Sequence, residues 1–111
     1  MKKKPVRLSD EQYKTVFGLV PRVCVDLVIM VSGKMLLTKR DIEPYKNTWH
    51  FPGGRIIKGE GIEKNTIKRI LAAELGLKLG SAKPRLIGYI EFPRDGEYHS
   101  ISSIFQSQNV P

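Results

Sequence analysis

The stretch FPGGRIIKGEGIEKNTIKRILAAELGL, Phe51 to Leu77, holds two adjacent glycines, arginines on either side of a loop, and a lone glutamate near the end of a helix-like run. If that run is a regular helix from about Ile62, residues 67, 70, 71 and 75 form an apolar stripe, and Glu74 falls inside it. A carboxylate on a buried face is costly unless it is paired or bound to a metal. The alternatives are a glutamate at the rim reaching water, or one paired with an arginine. Gly53-Gly54 lets a ligand approach the backbone closely, because no Cβ stands in the way. Oxygen donors suit Mg²⁺, which takes one or two carboxylates and shares substrate phosphates. The Gly53 carbonyl with Glu74 would make such a site, and Arg55 could hold a phosphate with two parallel hydrogen bonds.

Elements must position these groups. Ser9 and Gln12 have capping-box spacing, which predicts a short helix over Asp10–Phe17 ending near Gly18. Val23 to Val31 is rich in β-branched residues and is followed by SGK and MLLTKR, predicting two antiparallel strands around a Gly33 turn. DIEPYKN reads as a loop, and WHFPGGRI as a strand stopped by Pro52 and the glycines. The helix ends at Gly76, a left-handed cap. RLIGYIEF and HSISSIFQSQ form a second hairpin with Asp95-Gly96 as the turn signal. This order implies an α/β fold of the α+β kind, a mixed sheet with helices packed against it.

The totals fit that picture. At 111 residues the chain is expected to be one domain, with residues 1–8 a basic N-terminal tail that includes Lys2, Lys3, Lys4 and Arg7. The net charge of +8 suits an anionic partner, most pointedly around Lys39, Arg40 and Arg55 beside the glycine turn. No aromatic-basic strand motif for nucleic acid is present, so no nucleic-acid partner is expected. No apolar run reaches the ~20 residues needed to cross a bilayer, and no signal peptide precedes the domain, so a cytoplasmic protein without a membrane partner is expected. Cys24, the single cysteine, lies in an apolar run and reads as a small core residue. Asp26 is an acid between Val25 and Leu27, on the opposite sheet face from both. It either meets solvent or serves the site. His50 reads as structural, and Trp49 as a core or edge aromatic.

GGRIIKGEGIEKNTIKRILAAELGL resembles the Nudix box, G-x5-E-x7-R-E-U-x-E-E-x-G-U, where U is aliphatic. Gly54, Glu60, Arg69, Leu71, Glu74, Gly76 and Leu77 match it. The departures are specific: eight residues separate Glu60 from Arg69, and Ile70 and Ala73 replace two of the three helix glutamates. Within the Nudix hydrolases the chain is similar to the GDP-mannose mannosyl hydrolases, through Pro52-Gly53-Gly54-Arg55, Ala73-Glu74-Leu75-Gly76-Leu77 and, upstream, VDLVIMVSGKMLLTKR.

That resemblance implies a Nudix fold with its mixed sheet packed between helices. It implies attack at the anomeric carbon of a nucleoside-diphosphate sugar, releasing the nucleoside diphosphate. The Gly53 carbonyl and Glu74 would hold one Mg²⁺, with Glu60 a further metal candidate. Arg40 and Arg55 would neutralise the leaving group, and Asp26 and His99 would contact substrate. It also implies a general-base histidine, with a metal ligand beside it, in a late loop. No Gln-His pair occurs, so the general base is not found in this chain. By the resemblance, the C-terminal strand, loop and helix of the full fold would be absent from this chain. A sheet face left uncovered would suit a homodimer or a missing segment.

Overall fold

The computed structural model describes residues 6–41, 45–78 and 83–107. Lys2, Lys3 and Lys4 of the basic tail, parts of the two polar loops and the residues after Ser107 lie outside them. Helix α1 spans Asp10–Phe17, and its capping box is complete. The Ser9 hydroxyl accepts from the Gln12 N–H at 3.2 Å, and the Gln12 side chain accepts from the Ser9 N–H at 2.9 Å. Two otherwise orphaned donors are thereby satisfied.

Strand β1, Arg22–Val31, is the centre of the sheet. It runs parallel to the last strand, and antiparallel on its other edge to two short ones. The first of these, β2 (Lys34–Met35), returns through a turn in which Ser32 and Gly33 both have positive φ, 51° and 76°. The extended MLLTKR strand of the sequence reading is split. Beyond Met35 the chain leaves the sheet, and β3 (Thr38–Lys39) pairs with β4 (Trp49–His50) as a separate ribbon. β5, Gly53–Arg55, then pairs with β1. The glycines therefore stand inside a strand rather than ending one. The reason is steric: a Cβ on Gly53 would fall on Oδ1 of Asp26 and within 2.7 Å of the Val25 carbonyl.

Residues 62–75 form one helical stretch. Its middle, α2 (Ile67–Ile70), is α-helical, while Ile62–Thr66 and Leu71–Leu75 wind more widely as π turns. Gly76 ends it with φ 64°, the left-handed cap expected from sequence. β6 (Arg85–Asp95) and β7 (Tyr98–Ser107) complete the sheet as an antiparallel hairpin, with Gly96 at φ 67° in its turn. The expected mixed sheet is present, in the order β2-β1-β7-β6, with β5 also on β1.

Strand alternation then sorts the side chains. Val25, Leu27 and Ile29 of β1 and Phe105 of β7 face the helix and meet Ile67, Ile70 and Leu71. Burying each such side chain contributes ~1.5–3 kcal/mol. Arg22, Cys24, Asp26, Ser100 and Ser102 face the other way, into a cleft. Cys24 is thus not a core residue; its even position in β1 makes it a half-buried part of the cleft wall. The edge strand β6 exposes Leu86, Tyr89, Ile90 and Phe92 in part, Tyr89 to 74%.

Candidate active site

Glu60 and Arg69 form a buckle between the loop after β5 and the helix. Arg69 donates from Nε to Glu60 Oε2 at 2.7 Å and from Nη2 to Glu60 Oε1 at 2.9 Å. The same Nη2 also donates to the Arg55 carbonyl at 2.7 Å, which ties the end of β5 to the helix. The Ile57 N–H and Thr66 hydroxyl complete the set around Oε1. The Glu60 side chain is 3% exposed. Hydrogen bonding from Arg69 leads the causes that hold its pKa down at about 2, against the opposing effect of burial. Arg69 is raised above its usual value by the same bond.

The extra residue between Glu60 and Arg69 has a structural counterpart. The first turn of the helix is π-wound, with the Thr66 N–H bonded to the Gly61 carbonyl at 3.1 Å and the Ile67 N–H to the Ile62 carbonyl. An i→i+5 turn takes up one residue more than an α turn. The helix absorbs the insertion there and Arg69 still meets Glu60. Glu60 does not line the cleft that holds Glu74.

That cleft has a volume of about 740 Å³ and lies against the face of the sheet opposite the core. Glu74, Gly53, Asp26, Arg40 and Arg55 all line it, so the structure brings together most of the residues singled out from sequence. Glu74 is not inside the apolar stripe. The helix buries Thr66, Ile67, Ile70 and Leu71, and its π-wound end carries Glu74 to the rim, where Oε2 accepts the Gly53 N–H at 3.2 Å. Desolvation in the cleft raises the Glu74 pKa above the ordinary carboxylate value, and Asp26 adds to the rise. The Gly53 bond and the charges of His50 and Arg40 oppose it. Asp26 accepts the Ser102 hydroxyl at 2.5 Å.

The arginines differ in what they have left to offer. Arg40 is placed by the β3–β4 ribbon, where its N–H donates to Thr48 at 2.9 Å and its carbonyl accepts from Asn47 at 2.7 Å. Its Nε is buried with no hydrogen-bond partner among the described residues. Arg55 lies with its guanidinium 5.1 Å from the Phe17 ring centroid and 5.7 Å from that of Tyr13. His99 is not brought to the cleft. Its odd position in β7 turns it to the opposite face from Ser100 and Ser102, where Nε2 lies 2.8 Å from Glu91.

Sequence reasoning passed over Ser102, Arg22 and Tyr13, all of which line the cleft. The period-two alternation through Asp26 could have identified Ser102 only with the β1–β7 register in hand, in which Cys24 stands beside Ser102. Trp49 stands on the cleft wall, 64% exposed, with the Lys39 ammonium 5.8 Å from its ring. His50 also lines the cleft, its Nδ1 2.8 Å from the Phe51 carbonyl.

Among the described residues no three His, Cys, Asp or Glu side chains form a metal cluster. The donor set nevertheless fits a hard cation held in part by substrate. Two carboxylates, Glu74 and Asp26, line one cleft and interact electrostatically, and Mg²⁺ takes its remaining ligands from water and phosphate. Among the described residues no helix is long and apolar enough to cross a membrane.

A family model described as NUDIX domain matches residues 20–109. The chain is 36% identical over 75 residues to the low-salt glycan biosynthesis protein Agl8 of Haloferax volcanii, across 68% of this chain and 47% of that protein. It is 37% identical over 87 residues to the ADP-ribose pyrophosphatase of Methanocaldococcus jannaschii, across 78% of this chain and 50% of that one. The chain thus spans about half the length of these curated relatives. Its fold superimposes on the crystal structure of a MutT NUDIX hydrolase from Burkholderia pseudomallei with a TM-score of 0.73 at 25% identity, over 83% of this chain and 70% of that one. The family match, the mixed sheet and the Glu60–Arg69 buckle agree: this chain belongs to the Nudix hydrolase family.

Proposed function

We propose that this domain is a Mg²⁺-dependent hydrolase of a nucleoside-diphosphate sugar, of the GDP-mannose mannosyl hydrolase type. The observation that carries this reading is the depletion of the helix. Ile70 is 2% exposed and packed in the core, and Ala73 offers no ligand, so Glu74 is the acid that the end of the helix presents to the cleft. A site with so few carboxylates suits one cation shared with a diphosphate better than several cations gathered around phosphorus.

Glu74, Asp26 and the Gly53 backbone would hold the cation. When bound, it supplies charge neutralisation to the departing diphosphate. Arg40, whose Nε has no partner among the described residues, and Arg55 would share that charge, an electrostatic role worth a few kcal/mol. Water adds to the anomeric carbon as the bond from that carbon to the phosphate oxygen breaks, and the diphosphate leaves with the electron pair. The proton of the water passes to a base that belongs, by the family resemblance, to a loop after β7.

A second reading is a conventional diphosphatase attacking phosphorus, favoured by the relative named as an ADP-ribose pyrophosphatase. A third is a binding module of the same fold. The test is thermal stability with Mg²⁺ and GDP-mannose, followed in the same tube by assay for free GDP. Stabilisation with GDP release supports the enzyme, and stabilisation alone supports a binder. Labelled water then separates carbon attack, which puts label in the sugar, from phosphorus attack, which puts it in the phosphate.

A further inference from the structure

We propose that helix α1 is a positioning element for the site: Tyr13 and Phe17 hold the guanidinium of Arg55 over their rings, and Arg22 fastens Tyr13 to the sheet. The inference rests on the reading that Arg55 meets a diphosphate. It begins from an oddity of α1, which buries none of its residues completely. Hydrophobic burial is therefore a weak account of why the helix sits where it does. Its contacts with the sheet run through two arginines and one ring, that of Tyr98.

Arg22, the first residue of β1, donates from Nε and Nη2 to the Ser100 hydroxyl at 3.0 and 2.7 Å. Its Nη1 donates to the Tyr13 hydroxyl at 2.8 Å, and the group lies 4.8 Å from the Tyr98 ring centroid. Arg22 lines the cleft, but its N–H groups are committed to the protein, which suits a fastener. Tyr13 is in turn braced edge-on by Phe17 at 4.7 Å and by Tyr98 at 5.6 Å. The two α1 rings that result stand against Arg55 at 5.7 and 5.1 Å.

The choice of aromatic partners for Arg55 has a chemical consequence. A carboxylate partner would neutralise the guanidinium and occupy its N–H fork, as Glu60 does to Arg69. Aromatic rings attract the cation without neutralising it or accepting its N–H groups as a carboxylate does. Among the described residues the Arg55 side chain makes one long bond of 3.3 Å, from Nη1 to the Ile56 carbonyl. The group is thus oriented without being consumed. A pre-oriented fork loses less entropy when it grips a phosphate than a mobile one does.

The experiment is a double-mutant cycle on the full chain, read by calorimetric binding of GDP with Mg²⁺. Phe17→Leu should weaken GDP binding three- to tenfold in the wild-type background and leave it unchanged in Arg55→Ala. Phe17→Tyr, which keeps an aromatic face, should restore binding to within twofold of wild type. Tyr13→Phe keeps the ring but removes the Arg22 bond and should give a smaller loss. Thermal melting of each variant checks that the sheet is intact. A Phe17→Leu loss that persists undiminished in Arg55→Ala, or that Phe17→Tyr fails to repair, would show α1 to be only structural and overturn the proposal while the functional reading stands. If Arg55→Ala binds GDP as well as wild type, the role of Arg55 and this proposal fall together.

Discussion

Glu60 and Glu74 flank the same helix, and both were candidate metal ligands, yet the fold treats them in opposite ways. Glu60 is almost wholly enclosed and meets Arg69, the Ile57 N–H and the Thr66 hydroxyl. It is held ionised, with its pKa down at about 2. Glu74 stands at a rim, where among the described residues it has one bond, from the Gly53 N–H, and desolvation pushes its pKa the other way. A carboxylate whose lone pairs are committed to the protein holds loops together. One left under-satisfied beside a cleft is available to a ligand. The Nudix pattern contains both types of acid without distinguishing them.

The comparison can be broken most sharply at the buckle. Glu60→Ala leaves the partly buried Arg69 without its partner and should cost ~3–5 kcal/mol, measured by chemical denaturation. The pH dependence has a definite sign. Because the folded pKa of Glu60 is depressed, its stabilisation is present above the unfolded carboxylate value of 4.5 and is lost as pH falls toward about 2. Wild type should lose stability across that window, and the loss should be largely absent in Glu60→Gln.

Gly53→Ala tests the close approach of β5 to β1. The added methyl would strike Asp26 and the Val25 carbonyl, so a loss of ~1–3 kcal/mol is expected, together with weaker ligand binding. Glu74→Gln should do the reverse to stability. Its raised folded pKa means that the group stabilises the fold below the unfolded carboxylate pKa, and that this is lost as pH rises through the folded value. At neutral pH the variant should therefore be as stable as wild type or slightly more so, while Mg²⁺-dependent GDP binding falls at least about tenfold, or about 1.4 kcal/mol. The smallest effect belongs to the far end of the chain. Ser9→Ala removes one half of the capping box and should cost ~1 kcal/mol in a thermal melt.

Much of this was legible in the sequence because it depends on local chemistry. The Ser9 cap, the left-handed Gly76 and the hairpin turn at Gly96 are each dictated by a residue and its immediate neighbours. What escaped was register. The helix was read at 100° per residue, but π turns at both ends shift its phase, so Glu74 lies at the rim rather than in the apolar stripe. The face of Cys24 and the partnership of Asp26 with Ser102 follow from the parallel pairing of β1 with β7, which joins residues far apart in sequence. The alternation of β7 likewise turns His99 away from the cleft, toward Glu91. The role of α1 was invisible because it depends on arginines from two different strands meeting its rings.

The central claim is that Glu74 serves a ligand while Glu60 serves the fold. Its most direct test is an Mg²⁺ titration in the presence of GDP, followed by thermal melting, on wild type and on Glu74→Gln. The account predicts a midpoint that rises with Mg²⁺ in wild type and stays flat in Glu74→Gln, with the two proteins matched in stability when Mg²⁺ and GDP are left out. An Mg²⁺-dependent rise of equal size in both proteins would contradict it.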